Sequence, residues 1–303
     1  MDPIVPDPIV PRLEHETRRR RRIPLFRHRH VPVRMLVPNF FTLLALCAGL
    51  TSIRMGIEER YELALGAIVF AALLDGIDGR VARLLKASSR FGAELDSLAD
   101  FVNFGVAPAF LIFNWGLGSL KSLGWICVMI FALASALRLA RFNVASEEER
   151  PRWQADYFIG MPTPAAAIVV LLPIFIEHLG LEGIRSSTFM LDAVLIYTLV
   201  IAFLMVSTIP TFSGKLLGER ISREYVLPIF MLAVGFVALL LTYPFGTLTG
   251  ASIAYLASIP VSYRRFSSML EATEAQARPQ PQPEAPAPEA ARIVAIRSGE
   301  QQR

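Results

Sequence analysis

Residues 75–100 read DGIDGRVARLLKASSRFGAELDSLAD, and aspartates occupy positions 75, 78, 96 and 100 of this stretch. The first pair is spaced i,i+3 and the second i,i+4, so each pair shares one face of a helix. Only the short segment 84–91 separates the two predicted helices, which are therefore antiparallel neighbours. Their acidic faces are therefore expected to converge on one point.

Four converging carboxylates repel one another strongly unless a counter-charge lies between them. Ligands that are all oxygen favour a hard divalent cation such as Mg²⁺ or Mn²⁺, and four carboxylates indicate two ions. The stretch contains no cysteine or histidine, which argues against zinc. The residues predicted to bind metal are Asp75, Asp78, Asp96 and Asp100.

Three small residues and one arginine lie between the aspartates. Gly79, Ala82 and Gly92 remove side-chain bulk where a flat group or a phosphate could approach the backbone. Arg83 carries a permanent charge and a fork of donors suited to bidentate contact with phosphate. Metal ligands beside phosphate-binding groups indicate the transfer of a phospho-group.

The composition of the whole chain is that of a membrane protein. Of its 303 residues, 53% are hydrophobic and 18% are charged, and the mean hydropathy is +0.47. This excludes an ordinary soluble enzyme, and two cysteines exclude a disulfide scaffold. The net charge of +4 therefore indicates contact with anionic lipids of a bilayer rather than with nucleic acid.

Eight apolar segments are long enough to cross a bilayer, which requires roughly 18–25 residues. We therefore predict an all-α polytopic membrane protein, a bundle of about eight transmembrane helices. The predicted spans are 35–54, 61–82, 95–115, 122–143, 161–179, 189–209, 225–243 and 246–263.

The distribution of basic residues predicts the orientation in the membrane. If the N-terminus is cytoplasmic, the cytoplasmic segments hold 26 of the 30 Lys and Arg residues. Both termini and the acidic site would then face the cytoplasm, in a multi-pass protein of a cell (inner) membrane. We expect a disordered basic N-terminal tail (1–34), a transmembrane catalytic domain (35–266) and a disordered Pro/Ala-rich C-terminal tail (267–303).

At the acidic stretch the chain resembles the CDP-alcohol phosphatidyltransferase family, whose signature is D-x2-D-G-x2-A-R-x8-G-x3-D-x3-D. Every fixed position is filled, by Asp75, Asp78, Gly79, Ala82, Arg83, Gly92, Asp96 and Asp100. The resemblance implies an integral membrane enzyme that moves a phosphatidyl group from a CDP-linked lipid to an alcohol and releases CMP. Members of the family are often dimers, so a homodimer is also implied.

The resemblance implies a role for each matching residue. Asp75, Asp78 and Asp96 would hold one metal ion. Asp75, Asp96 and Asp100 would hold a second, and Asp100 would also be the general base. The residues implied to bind CDP-diacylglycerol are Gly79, Ala82, Arg83 and Ser89, together with the segment Pro38, Asn39, Phe40, Phe41 and Thr42.

Three further stretches resemble the phosphatidylserine synthase branch of this family. They are DSLADFVNFGVAP (96–108), ALRLARFN (136–143) with GMPTPAAA (160–167), and MVSTIPTFSGK (205–215). A zwitterionic amino acid such as serine needs a cation for its carboxylate. The candidates for serine binding are Arg138, Arg141, Asn143 and Lys215.

Other interpretations stay open at this stage. The three cations Arg138, Arg141 and Lys215 could merely anchor helix ends. Two of them could also suit glycerol-3-phosphate, so the acceptor could be glycerol-3-phosphate, inositol or choline instead of serine. A different class of protein is a divalent metal-ion transporter that uses the aspartates as a transit site. Such a transporter should carry polar or broken segments in several further spans, whereas the ionisable residues here cluster at one mouth, which favours the enzyme.

Overall fold

The structure is a computed structural model that describes residues 36–85, 89–145, 157–181, 183–212 and 223–277. Within these ranges the chain forms ten α-helices and a sheet of two short strands. The helices are α1 (Leu36–Ile57), α2 (Tyr61–Leu84), α3 (Arg90–Asp100), α4 (Ala107–Trp115), α5 (Ser122–Ala145), α6 (Thr163–Val170), α7 (Leu172–His178), α8 (Thr188–Val206), α9 (Arg223–Thr242) and α10 (Pro244–Ala277). The strands are β1 (Tyr157–Ile159) and β2 (Pro210–Phe212).

The predicted fold class, an all-α polytopic membrane protein, is confirmed. Every predicted apolar segment is helical over most of its length. Five helical stretches are long and apolar enough to cross a membrane. They are Leu36–Ile57, Arg90–Trp115, Ser122–Ala145, Thr188–Val206 and Tyr225–Thr242.

The other three predicted spans have features that interrupt a simple apolar helix. α2 carries Asp75, Asp78 and Arg80 in its last turns. The predicted span 161–179 is divided into α6 and α7, because Pro173 has no N–H to continue the ladder of helical hydrogen bonds. α10 is rich in glycine, serine and threonine near its start. The count of eight spans therefore stays a prediction.

A face of small residues on α1 allows the neighbouring helices to approach closely. Its buried residues recur every three or four positions and are Pro38, Thr42, Ala45, Gly49, Ser52 and Gly56. A Cβ atom at Gly49 would overlap the side chain of Asn103, so only glycine fits there. Because small residues permit close backbone contact between membrane helices, α1 can pack against both α2 and α3.

The helix that bears the second acidic pair changes its winding directly after Asp100. The Ser89 hydroxyl caps the start of α3 by accepting a hydrogen bond from the backbone N–H of Gly92 at 2.9 Å. Residues Phe101–Val106 then form a π-helical turn that leads into α4. Such turns insert extra backbone into a helix and often lie at functional sites.

The two strands were not predicted, because three residues are too short to show an alternating pattern. β1 pairs antiparallel with β2, with Phe158 opposite Thr211. α10 packs against β2 and α7, so the C-terminal hairpin of α9 and α10 meets the rest of the bundle at this small sheet and at α7.

The predicted tails fall mostly outside the described residues, which begin at residue 36 and end at residue 277. α10 continues past the expected boundary at residue 266 as far as Ala277. This extension is rich in Glu, Ala, Met and Leu, which all favour the helix. The domain boundaries otherwise remain a proposal.

Candidate active site

The structure brings the four aspartates together at the point where α2 and α3 meet. The carboxylates of Asp75, Asp78 and Asp96 each offer an oxygen atom, and these atoms all lie within 4.8 Å of one another. The Asp100 carboxyl lies within hydrogen-bonding reach of the Asp75 carboxyl. The spacing i,i+3 on one helix and i,i+4 on its antiparallel neighbour therefore produces one acidic cluster.

The donor set of this cluster fits a divalent metal ion. Its ligands are carboxylate oxygens alone, and Asp78 is buried with 5% of its surface exposed. In the part of the chain that the structure describes, no lysine or arginine forms an ion pair with any of the four. Carboxylates crowded without a counter-ion are costly, and a hard cation between them removes that cost.

α1 positions one of these carboxylates. The buried Thr42 hydroxyl donates a hydrogen bond to Oδ2 of Asp78 at 2.7 Å, with the Pro38 carbonyl 3.2 Å away. The sequence predicted Thr42 as a lipid-donor contact and missed this link to the acidic cluster. No local pattern reveals it, because the two residues lie on different helices.

A cavity of about 300 Å³ opens beside the acidic cluster, between α1, α2 and α3. It is lined by Asn39, Thr42, Asp78, Gly79, Ala82, Arg83, Ser89, Gly92, Ala93 and Asp96. Six of the nine residues predicted to bind the lipid donor are among them. Ala93 was not predicted, because it lies outside the fixed positions of the signature.

The remaining three residues of the predicted donor segment do not line this cavity. Pro38 is buried against α1's neighbours, whereas Phe40 has 63% of its surface exposed. The rings of Phe40 and Phe41 contact edge to face, with centroids 6.0 Å apart. Phe40 is thus exposed and Phe41 half-buried, next in sequence to the cavity-lining residues Asn39 and Thr42.

The two glycines of the signature have different surroundings. A Cβ atom at Gly92 would lie 2.9 Å from Oδ1 of Asn39 and 3.0 Å from Oγ of Ser89, so Gly92 is required for packing and for the helix cap. A Cβ atom at Gly79 would have no atom within 4 Å. Packing therefore does not require a glycine at position 79, and the absence of a side chain there leaves free space in the cavity.

Arg138 is a buried cation close to the acidic cluster. It has 7% of its surface exposed, and its Nη1 donates to Oγ1 of Thr163 at 3.0 Å. The guanidinium carbon lies 5.3 Å from the ring centre of Phe142 and 6.0 Å from that of Phe158. It interacts electrostatically with Asp100, yet within the described residues no carboxylate is close enough to form an ion pair with it.

Arg141 shares a helix face with Arg138 but has different partners. Its guanidinium donates to the backbone carbonyls of Val206 at 2.7 Å, Ser207 and Ile159 at 3.1 Å, and Met205 at 3.3 Å. These bonds join the end of α8 to β1. The hydrogen bonds that Arg141 makes within the described residues thus all go to backbone carbonyl groups.

The last two candidates for acceptor binding differ in what the structure shows of them. The Asn143 side-chain amide donates to the Ser97 hydroxyl at 2.9 Å, which ties the end of α5 to the acidic helix α3. Lys215 lies outside the described residues.

Comparison with known proteins gives two family matches. The model described as CDP-alcohol phosphatidyltransferase matches residues 35–205, more than half of the chain. A second model, CDP-alcohol phosphatidyltransferase 2, matches residues 224–260, which include most of the C-terminal hairpin.

Curated proteins of several bacteria are similar over most of the chain. A CDP-diacylglycerol–serine O-phosphatidyltransferase of Mycobacterium leprae is 37% identical over 74% of this chain and 73% of its own length. Proteins of the same name are 36% identical in Mycobacterium bovis, over 76% of this chain and 78% of their own, and 34% identical in Helicobacter pylori, over 71% and 85%.

Proposed function

This chain belongs to the CDP-alcohol phosphatidyltransferase family, and we propose that it makes phosphatidylserine by transferring the phosphatidyl group of CDP-diacylglycerol to the hydroxyl of L-serine, releasing CMP. The observation that carries the proposal is the acidic cluster beside a cavity lined by the signature residues. The choice of serine is supported by the names of the similar proteins and by a buried cation close to Asp100.

The acidic cluster is proposed to hold two divalent ions, Mg²⁺ or Mn²⁺. Asp75, Asp78 and Asp96 would hold one ion, and Asp75, Asp96 and Asp100 the other. When bound, the ions offset the charge of the diphosphate oxygens and of the departing CMP. Thr42 keeps the Asp78 carboxylate oriented for this role through its 2.7 Å hydrogen bond.

The donor lipid is proposed to enter the cavity with its diphosphate towards the aspartates. Arg83, which lines the cavity, would contact the diphosphate, and Gly79 and Ala82 would leave room for the cytidine. Ser89 and Asn39 complete the lining. Phe40 and Phe41 would meet the acyl chains at the lipid-facing side.

Asp100 is proposed as the general base. Its carboxylate takes the proton of the serine hydroxyl while the serine oxygen attacks the phosphorus that bears the diacylglycerol. The bond from that phosphorus to the CMP oxygen breaks, and CMP leaves. Arg138 would hold the serine carboxylate, and Arg141 would support the pocket by fixing the end of α8 to β1.

The membrane orientation, the lipid contacts and the oligomeric state are also proposals. Both termini and the cavity are placed on the cytoplasmic side of a cell (inner) membrane, which the distribution of 26 of 30 basic residues supports. Contact with the anionic lipids of that bilayer follows from the same distribution. A homodimer is proposed from family membership alone.

The decisive experiment is an assay of the purified protein with CDP-diacylglycerol, Mg²⁺ or Mn²⁺ and one labelled alcohol at a time. We expect CMP release that depends on serine and stops when the metal is chelated. CMP release with glycerol-3-phosphate, inositol or choline, but not with serine, would contradict the proposal that serine is the acceptor. Metal flux into vesicles without CMP release would contradict the enzyme altogether.

The two signature glycines provide a matched test of the donor cavity. Gly79→Ala should keep the thermal stability of the protein and raise the KM for CDP-diacylglycerol severalfold, because the new methyl group occupies free space in the cavity. Gly92→Ala should instead destabilise the fold by about 1–3 kcal/mol, because its methyl group meets Asn39 and Ser89. Thermal unfolding in detergent measures the stability of each variant, and initial-rate assays measure its KM for CDP-diacylglycerol. The opposite pattern would show that Gly79 is a packing residue.

A further inference from the structure

Tyr255 of α10 places a hydroxyl group beside the buried cation. Its hydroxyl oxygen is buried and makes no hydrogen bond of good geometry within the described part of the chain. The Thr211 hydroxyl lies beside it, but that group donates to the Gly160 carbonyl at 2.9 Å. A buried hydroxyl without a partner is costly, so a ligand that supplies the partner would bind favourably there.

Arg138 is incompletely paired in the same region. A guanidinium has five N–H donors, and in the described residues one of them has a hydrogen-bond partner, the Thr163 hydroxyl. Arg138 also interacts electrostatically with Tyr255 and Asp100. A buried cation with N–H donors to spare and a buried hydroxyl without a partner, close to the proposed base, indicate a binding site for a small anion.

We propose that Tyr255 is a specificity-determining residue of the acceptor site, whose hydroxyl donates a hydrogen bond to the amino-acid carboxylate that Arg138 holds. The inference rests on the proposed function and deepens it. The C-terminal hairpin is then part of the acceptor pocket, because α10 packs on β2 and brings Tyr255 to Thr211 and Arg138.

This placement accounts for a feature of the acceptor chemistry. The carboxylate distinguishes serine from simple alcohols, and a site with buried donors for it disfavours acceptors that leave those donors unpaired. Arg138 supplies the charge, and the Tyr255 hydroxyl supplies a directed donor from a different helix. The serine hydroxyl is left free to approach Asp100.

The test compares Tyr255→Phe with Tyr263→Phe in the full-length protein. Both changes remove one phenolic hydroxyl from α10, but the Tyr263 side chain is exposed. We expect Tyr255→Phe to raise the KM for serine about tenfold and to leave the KM for CDP-diacylglycerol within about twofold. Tyr263→Phe should keep both values. A purely structural role of Tyr255 would instead lower the amount of folded enzyme and kcat without changing the serine KM.

The outcomes separate this inference from the proposed function. If the wild-type protein releases CMP with serine and Tyr255→Phe keeps the wild-type serine KM, the inference is wrong and the function stands. If the wild-type protein uses only an acceptor without a carboxylate, the proposed function fails, and the role of Tyr255 fails with it.

Discussion

The purified Asp100→Asn variant should lose transfer to serine, with kcat lowered by about 10²- to 10⁴-fold. The amide cannot take up the proton that the serine hydroxyl must release. The fold should survive, because Asn has nearly the same shape as Asp and the change removes one charge from a cluster of like charges. CMP release at saturating substrates and thermal unfolding in detergent measure the two effects.

Two controls isolate the role of the Asp100 carboxylate. Glu94→Gln makes the same chemical change on an exposed residue of α3 and should keep wild-type turnover. Because Asp100 is also a proposed metal ligand, the variant is assayed over rising Mg²⁺ concentrations. A base role predicts that kcat stays low when the metal is saturating. Normal turnover by the purified Asp100→Asn protein would disprove the assignment.

Arg138→Gln should raise the KM for serine by about 10²-fold and leave the KM for CDP-diacylglycerol close to the wild-type value. The expected size follows from charge-assisted hydrogen bonds to a carboxylate, which contribute about 1.5–3 kcal/mol. The Gln side chain keeps a polar but uncharged group at this buried position. Initial rates over a range of each substrate give the two KM values.

Arg141 provides the matched comparison, since it lies one helical turn from Arg138 on α5. Arg141→Lys should lower the unfolding temperature, because one ammonium group cannot replace a guanidinium that reaches four backbone carbonyls. Its serine KM should change far less than that of Arg138→Gln. If instead the Arg141 variant lost serine affinity and the Arg138 variant did not, the two roles would be reversed.

Much of the fold and of the acidic site was predictable from the sequence because both depend on local spacing. Apolar segments of sufficient length predict the helices, and all eight segments are helical in the structure. The spacing of Asp75, Asp78, Asp96 and Asp100 predicts that they meet once the two helices are antiparallel. The number of spans does not follow from composition alone, because α2 carries charged residues in its last turns and the apolar segment 161–179 is broken as a helix at Leu171.

The functions of individual polar residues depended on partners far away in the chain. Ser89 caps α3 as well as lining the cavity, and Thr42 orients Asp78 across 36 positions of sequence. Neither contact follows from a periodicity, because a period shows which face a side chain occupies and not what lies opposite that face.

The sequence by itself determined the helical membrane scaffold, the family and the acidic cluster, since each rests on short-range spacing or on composition. Only the tertiary structure distinguished Arg138 from Arg141, which have the same i,i+3 relation and the same charge. It buries the first beside Thr163 and Tyr255 and directs the second to backbone carbonyls. The physical reason is that the partners of the two guanidinium groups come from α6, α8, α10 and β1, whose positions are set by packing across the whole bundle.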